Sequence, residues 1–167
     1  MQHQPYERAF TPSKRVPGQS SAQLPPPHTV ARDAPNLDDP AATGREDGRW
    51  VKRVPLTLSR EFVERGGERF GIFCADCHGA DGSGEGIVVL RGFPRPKAFG
   101  SAVVRAEVPG RLYDAISNGT GVMYGFADRI EEPDRWAIVA YILALERTRE
   151  ASIADVPPAE REKLFSQ

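Results

Sequence analysis

The protein has 167 residues and a mass of 18.3 kDa, a length that fits one domain with an extension. Lys and Arg number 22 and Asp and Glu 23, so the net charge of -1 gives no electrostatic basis for binding nucleic acid or adsorbing strongly to anionic lipid. No apolar run approaches the ~18–20 residues that span a bilayer, and the first residues do not resemble a signal peptide.

The first third of the chain is rich in proline. Nine of the fifteen prolines lie in residues 1–55, which contain few large apolar side chains and no sustained hydrophobic period. Such a segment cannot build a core of its own, so we expect an extended, polyproline-like arm. Two interpretations stay open, a flexible leader and an arm that packs on another protein. We predict a globular domain over residues 56–148 and a tail over 149–167 that adds a short amphipathic contact.

The first predicted helix covers residues 58–73, where Phe62, Gly66, Phe70 and Phe73 recur at helical spacing. Thr57 or Ser59 is its expected N-cap.

Glycine and proline dominate residues 79–110, which we expect to be mostly loop, with "IVVL" as a short strand or a turn of helix. The next segment, "PGRLYDAISNG", predicts a short second helix that ends at Asn118 and Gly119. A third helix begins around Pro133 in "EEPDRWAIVAYILALERTRE". No alternating strand pattern of useful length is present. The fold class is therefore all-α, with three main helices and long irregular connections.

The only two cysteines, Cys74 and Cys77, stand in "CADCH" directly before His78. A structural zinc site needs four ligands, but the other histidines, His3 and His28, lie in the proline-rich arm. A thioredoxin-type dithiol belongs to a fold with a parallel sheet, for which this chain has no strands. A disulfide across two residues would be strained and would stabilise little.

The C-x-x-C-H spacing instead predicts one covalently attached haem c. Cys74 and Cys77 would each form a thioether with a vinyl group, and His78 would be the proximal iron ligand. The glycines that follow allow backbone to pass close to a flat macrocycle. A domain of short helices has little side chain to fill its interior, so we expect the porphyrin to form the core and the apoprotein to be largely unfolded.

Met123 is the predicted sixth ligand. The only other methionine is Met1, and Met123 lies in a glycine-rich loop between the second and third helices. A thioether sulfur is a good ligand for haem iron. Core packing is the alternative role for a methionine. Two other arrangements stay open, ligation by His28 or His3, and an iron with an open sixth position that binds ligands or catalyses peroxidase-like chemistry.

These residues resemble those of class I c-type cytochromes. Gly66 and Phe70 before the haem motif, together with Tyr141 in the last helix, match the positions that mark the crossing of the first and last helices in that family. The resemblance covers residues 57–147 and implies the cytochrome c fold, with three main helices around the haem.

A closer resemblance is to the monohaem cytochrome subunit of bacterial alternative complex III, a membrane quinol oxidoreductase. It is carried by "ERGGERFGIFCADCHGADGSGEGIVVLRGFPRP", "ISNGTGVMYGFADRI", "DRWAIVAYILAL" and "PPPHTVARDA". This resemblance implies a periplasm-facing subunit of a respiratory chain, attached to the membrane by its partners or as a lipoprotein. It further implies electron transfer from a multihaem subunit to a soluble cytochrome c or a terminal oxidase, with the arm lying across neighbouring subunits.

Two features depart from these families. Tyr124 stands where the usual loop has proline after the ligand methionine. Neither a leader nor a lipidated cysteine is visible, so we expect residues upstream of Met1 to have been removed or omitted.

Further residues are expected around the haem. A carbonyl of Pro94 or Pro96 would accept a hydrogen bond from the ring of His78 and so orient it. A buried haem propionate needs a donor. The side chains that could supply one are those of Arg91, Arg95, Tyr113 and Trp136.

An iron with two protein ligands has no free position for a substrate. We therefore predict an electron carrier rather than an enzyme, and the alternatives are an independent soluble shuttle and a haem enzyme or sensor.

Overall fold

A computed structural model describes residues 4, 6–23, 25–30, 32, 36–158, 160 and 161. The chain divides into two units, residues 1–34 and residues 35–167. All assigned helices and strands lie in the second unit. In chain order they are α1 (Pro40–Thr43), β1 (Arg45–Glu46), β2 (Arg49–Trp50), α2 (Arg60–Phe73), α3 (Ala75–His78), α4 (Ile87–Leu90), α5 (Ala102–Arg105), α6 (Pro109–Asn118), β3 (Gly119–Thr120), β4 (Met123–Tyr124), α7 (Glu132–Glu150) and a 3-10 helix (Ile153–Asp155).

The first unit contains a closed loop. Pro12 and Ser20 form an isolated antiparallel bridge, and the Glu7 carboxylate accepts hydrogen bonds from the hydroxyls of Ser13 (3.2 Å) and Ser21 (2.9 Å). This segment was expected to be extended. Local hydrogen bonds between polar side chains and backbone replace the apolar contacts that the segment lacks.

Helices α2, α6 and α7 occupy the three segments that were expected to be helical. Ser59 is the N-cap of α2, because its hydroxyl accepts a hydrogen bond from the Phe62 N–H at 3.1 Å. Gly119 ends α6 with a φ of 84°, and Pro133 lies in the first turn of α7. The "IVVL" segment forms the helical turn α4.

Helices α2 and α7 pack closely at Gly66. A Cβ atom at Gly66 would lie 1.9 Å from the Ala137 carbonyl oxygen and 3.0 Å from the Tyr141 Cβ. Phe70, one turn further along α2, contacts the Tyr141 ring with a centroid separation of 5.3 Å. The absence of a side chain at Gly66 therefore brings the two backbones together at the position that the family resemblance implied.

Asp134 links the same two helices by charge. Its carboxylate accepts two hydrogen bonds from Arg65, both of 2.9 Å, and forms an ion pair with Arg69 at 2.8 Å. Hydrogen bonds from Arg65 are the largest cause that holds the pKa of Asp134 below its usual value. The side chain of Asp134 is only 18% exposed, so solvent screens this pair less than most surface ion pairs.

We expect Asp134→Asn to lower the free energy of unfolding of the holoprotein by about 1 kcal/mol at pH 7. Because the folded pKa is depressed, the stabilisation is present above the unfolded pKa and is lost as the pH falls through the folded value. Urea unfolding at pH 7 and near pH 2 measures this difference. Asp128→Asn removes an exposed carboxylate beside Arg129 and is the control, for which no change is expected. An equal loss at both pH values would contradict the prediction.

Residues 40–51, which we call the strap, pack on α6 and α7. The Tyr113 hydroxyl donates to the Ala42 carbonyl at 3.2 Å and the Trp136 indole to the Ala41 carbonyl at 2.6 Å. The sequence analysis placed this segment in the extended arm, whereas the structure includes it in the second unit. It folds there because it contains Val51, which packs against the core.

Three features were not expected. Strands β1 and β2 form one hairpin and β3 and β4 form another, and each of these strands has two residues. Helix α5 lies within the segment predicted to be mostly loop. Beyond α7, the 3-10 helix is capped by Ser152. No helix among the described residues is long and apolar enough to cross a membrane.

Candidate functional site

The haem motif lies at the end of α2 and in α3. The chain turns at Cys74, where the Cys74 N–H still donates to the Phe70 carbonyl at 2.9 Å. The loop that follows returns over α3, with the Gly86 N–H donating to the Cys77 carbonyl at 3.2 Å. A Cβ atom at Gly86 would lie 2.1 Å from the Asp76 carbonyl oxygen, so only glycine fits this contact.

A cavity of about 440 Å³ opens beside α3. Parts of α6, α7, the β3–β4 hairpin and the loop before α5 form its walls. Its lining residues are Cys74, His78, Arg95, Pro96, Lys97, Phe99, Val104, Glu107, Arg111, Leu112, Ala115, Ile116, Thr120, Gly121, Val122, Met123 and Ile142. The cavity therefore brings the thiol of Cys74 and the imidazole of His78 together with the thioether of Met123, which lies 45 residues after His78 in the sequence.

Cys74 is buried and Cys77 partly exposed, and the two do not form a disulfide. Burial, followed by the proximity of Cys77, raises the pKa of the Cys74 thiol to about 12. Among the described residues, no three His, Cys, Asp or Glu side chains are grouped as a closed metal site would require.

His78 is held against an aromatic ring. The Phe99 ring lies parallel to the imidazole, with 4.8 Å between centroids and 9° between planes, and Phe99 contacts Phe70 edge-on at 5.9 Å. Burial lowers the pKa of His78, which favours the neutral imidazole that binds metals. This stack connects the imidazole to the packed interface of α2 and α7.

The Nδ1 atom of His78 is buried without a hydrogen-bond partner in the structure, so the expected bond to a proline carbonyl is not formed. Pro96 lines the cavity and Pro94 is exposed. The Pro96 carbonyl oxygen instead packs on Gly84, where a Cβ atom would lie only 2.5 Å from it.

Met123 lies on the β3–β4 hairpin, which forms part of the cavity wall. It pairs with Thr120, and its neighbour Tyr124 pairs with Gly119. Gly119 has a left-handed φ of 84°, and a Cβ atom there would lie 2.5 Å from the Met123 carbonyl oxygen. The strand pairing supplies the rigidity that a proline at position 124 would otherwise provide.

The residues expected around the haem divide into two groups. Arg95 lines the cavity, whereas Arg91 is exposed and outside the lining. Tyr113 and Trp136 stack on each other at 4.2 Å and donate to strap carbonyls, and their role as propionate donors stays a prediction. Burial, the largest cause, raises the pKa of Tyr113 and keeps its hydroxyl a donor.

Sequence reasoning missed several cavity residues, among them Phe99, Lys97 and Arg111. Phe99 is buried in a loop rich in glycine and proline, so an aromatic residue in such a loop was the available signal. His28 is exposed and belongs to the first unit, and His3 lies outside the described residues.

The cavity residues fit haem c. The lining is largely aliphatic and aromatic, and its volume lies in the range of about 300–1,000 Å³ typical of cofactor pockets. Cys74, His78 and Met123 supply the sulfur and nitrogen atoms that hold haem in proteins.

One family model agrees with this chemistry. Residues 61–142 match the family described as cytochrome C oxidase, cbb3-type, subunit III. No curated protein matches. One solved structure that matches is the Kuenenia stuttgartiensis reducing HAO-like protein complex Kustc0457/Kustc0458, with 25% sequence identity and a TM-score of 0.48 over 64% of this chain. The match spans about half, 54%, of the length of that chain.

The C-x-x-C-H motif, the cavity beside it and the family match all concern the same part of the chain. Residues 61–142 match a c-type cytochrome domain and are mostly helical, and this match implies one covalently bound haem c.

Proposed function

We propose that this protein relays single electrons through its haem, with His78 and Met123 as the two axial ligands of the iron. The observation that carries the proposal is that both side chains line one cavity together with Cys74. When bound, haem c supplies an iron that is reduced and reoxidised by one electron. With His78 and Met123 both bound to it, the iron would offer no site to a substrate, so the protein would act as a carrier.

The chain contributes attachment, ligation and exclusion of water. Cys74 and Cys77 would form the thioethers, and the imidazole of His78, which would bind the iron, is held by the Phe99 ring. The hairpin positions the Met123 sulfur. The apolar side chains of α6 and α7 at the cavity, Leu112, Ile116 and Ile142, keep the surroundings dry, which favours the ferrous state with its smaller charge.

We further propose that the carrier is a subunit of a membrane respiratory complex on the periplasmic face. Its sequence resemblance to the monohaem subunit of alternative complex III supports this, and the matching family takes its description from a subunit of another respiratory complex. In that assembly it would accept electrons from a multihaem subunit and reduce a soluble cytochrome c or a terminal oxidase. Partner subunits or a lipid anchor would attach it to the membrane.

Covalent attachment is tested with cysteine variants. We expect the natively matured protein to exceed its polypeptide mass by one haem and to give a haemochrome spectrum in alkaline pyridine. Cys74→Ser with Cys77→Ser should lose the added mass entirely, because no thioether can form. Each single variant should retain at most one thioether. A wild-type protein without haem, or a double variant that still carries it covalently, would contradict the prediction.

The place in a complex is tested by purification from native membranes. After mild detergent extraction, we expect the polypeptide to copurify with a multihaem cytochrome and to remain bound in high salt. A polypeptide released alone by salt would favour the independent shuttle and contradict the subunit proposal.

A further inference from the structure

Arg111 lies between the strap and the haem cavity. It follows Pro109 and Gly110 in the first turn of α6 and lines the cavity. Its Nη1 donates to Asp114 at 2.8 Å, and its Cζ lies 5.9 Å from the centroid of the Trp50 ring. A guanidinium has five N–H donors, so the bond to Asp114 leaves donors for a second anion.

The strap is fixed to the start of α6 by its backbone. The Gly110 N–H donates to the Val51 carbonyl at 3.0 Å, and the Val51 N–H donates to the Gly44 carbonyl at 3.0 Å. A Cβ atom at Gly110 would lie 2.3 Å from the Gly44 carbonyl oxygen. Gly110, which precedes Arg111, is thus hydrogen-bonded to Val51, which follows Trp50. This contact sets the position of the Trp50 ring relative to the Arg111 guanidinium.

We propose that Arg111 binds a haem carboxylate and that Trp50 positions it for this role. The inference rests on the proposed function. A haem carries two propionates, and a carboxylate beside an apolar cavity requires a charged or polar donor. The indole face attracts the cation within the usual range of about 6 Å. Arg111 is half-buried and is anchored by Asp114, whereas Arg95 and Lys97 on the same rim are exposed and Arg95 pairs with the exposed Glu85.

This arrangement couples the strap to the reduction potential. Reduction removes one positive charge from the iron, so a fixed cation at the cavity favours the reduced state. Any change that moves Arg111 away from the haem lowers the potential. Trp50 is a positioning residue, because it acts on the haem only through Arg111.

The test measures the reduction potential of the holoprotein and its variants. We expect Arg111→Gln to lower the redox equilibrium constant by roughly three- to tenfold, tenfold corresponding to about 59 mV for one electron. Trp50→Met should cause a smaller decrease in the wild-type background and none in the Arg111→Gln background. Trp50→Phe keeps an aromatic face and should restore most of the potential. Arg45→Gln is the matched control, since it removes a cation that stacks on the same ring at 3.4 Å but does not line the cavity.

Equal effects of Trp50→Met in both backgrounds would overturn the positioning role, as would an effect of Arg45→Gln that equals that of Arg111→Gln. An unchanged potential in Arg111→Gln overturns the whole proposal even if no Trp50 variant matures. Mass and visible spectrum are recorded first. Absence of covalent haem in the wild-type protein would contradict the proposed function as well. If the haem is present and Met123 is its ligand, but the potentials of the variants differ from those expected, only this inference is contradicted.

Discussion

In the Met123→Ala variant we expect the reduction potential to fall by on the order of 0.1–0.3 V, within the range of about 0.8 V over which axial ligands set haem potentials. A thioether ligand raises the potential, and alanine cannot replace it. The iron then has an open position, so the reduced variant should bind carbon monoxide at once, whereas the reduced wild-type protein should not. Redox titration and visible spectra with and without carbon monoxide measure both effects.

Val122→Ala is the control for this variant. Val122 also lines the cavity and precedes Met123 directly, but its side chain is 61% exposed and carries no ligand atom. We expect its spectrum and potential to match the wild type. A Met123→Ala protein with an unchanged spectrum would contradict the ligand assignment. Prompt carbon monoxide binding by the wild type would instead favour a haem enzyme or sensor with an open sixth position.

The haem motif and Met123 could be recognised from the sequence because each depends on short-range information. The C-x-x-C-H spacing is defined within five residues, and Met123 is the one methionine after position 1, in a loop flanked by Gly119 and Gly121. The structure adds that Cys74, His78 and Met123 border a single cavity. Their roles as thioether anchor and axial ligands stay predictions that the variants above test.

The strap and the cavity rim could not be predicted, since they depend on contacts between distant segments. Tyr113 was predicted to be a propionate donor from its residue type. In the structure its hydroxyl donates a hydrogen bond to the carbonyl of Ala42, 71 positions earlier in the chain. The residues next to Arg111 in the sequence do not indicate that it lies at the cavity either, because its position there depends on how the strap packs on α6. The packing of the strap had no local signal for the same reason, since no hydrophobic period marks residues 40–51.

The helix interface, by contrast, was accessible from the sequence through Gly66, and it carries the largest expected change in stability. In Gly66→Ala, the new Cβ would lie 1.9 Å from the Ala137 carbonyl oxygen and 2.5 Å from the carbonyl carbon. These are backbone atoms of a fully buried residue, so α2 and α7 must move apart. We expect a loss of about 3 kcal/mol or more in the free energy of unfolding, at the upper end for overpacked cores.

Gly71→Ala is a closely matched control, because it makes the same substitution in the same helix at an exposed position with no atom within 4 Å of the new Cβ. There the higher helix propensity of alanine should stabilise the holoprotein by about 0.5–1 kcal/mol. The opposite signs separate the effect of close packing from that of propensity. Urea unfolding of both holoproteins, followed by circular dichroism, measures the difference. A Gly66→Ala protein as stable as the Gly71→Ala protein would show that α2 and α7 are not in contact at Gly66. The positions of Phe70, Phe99 and His78, which depend on that contact, would then have to be revised.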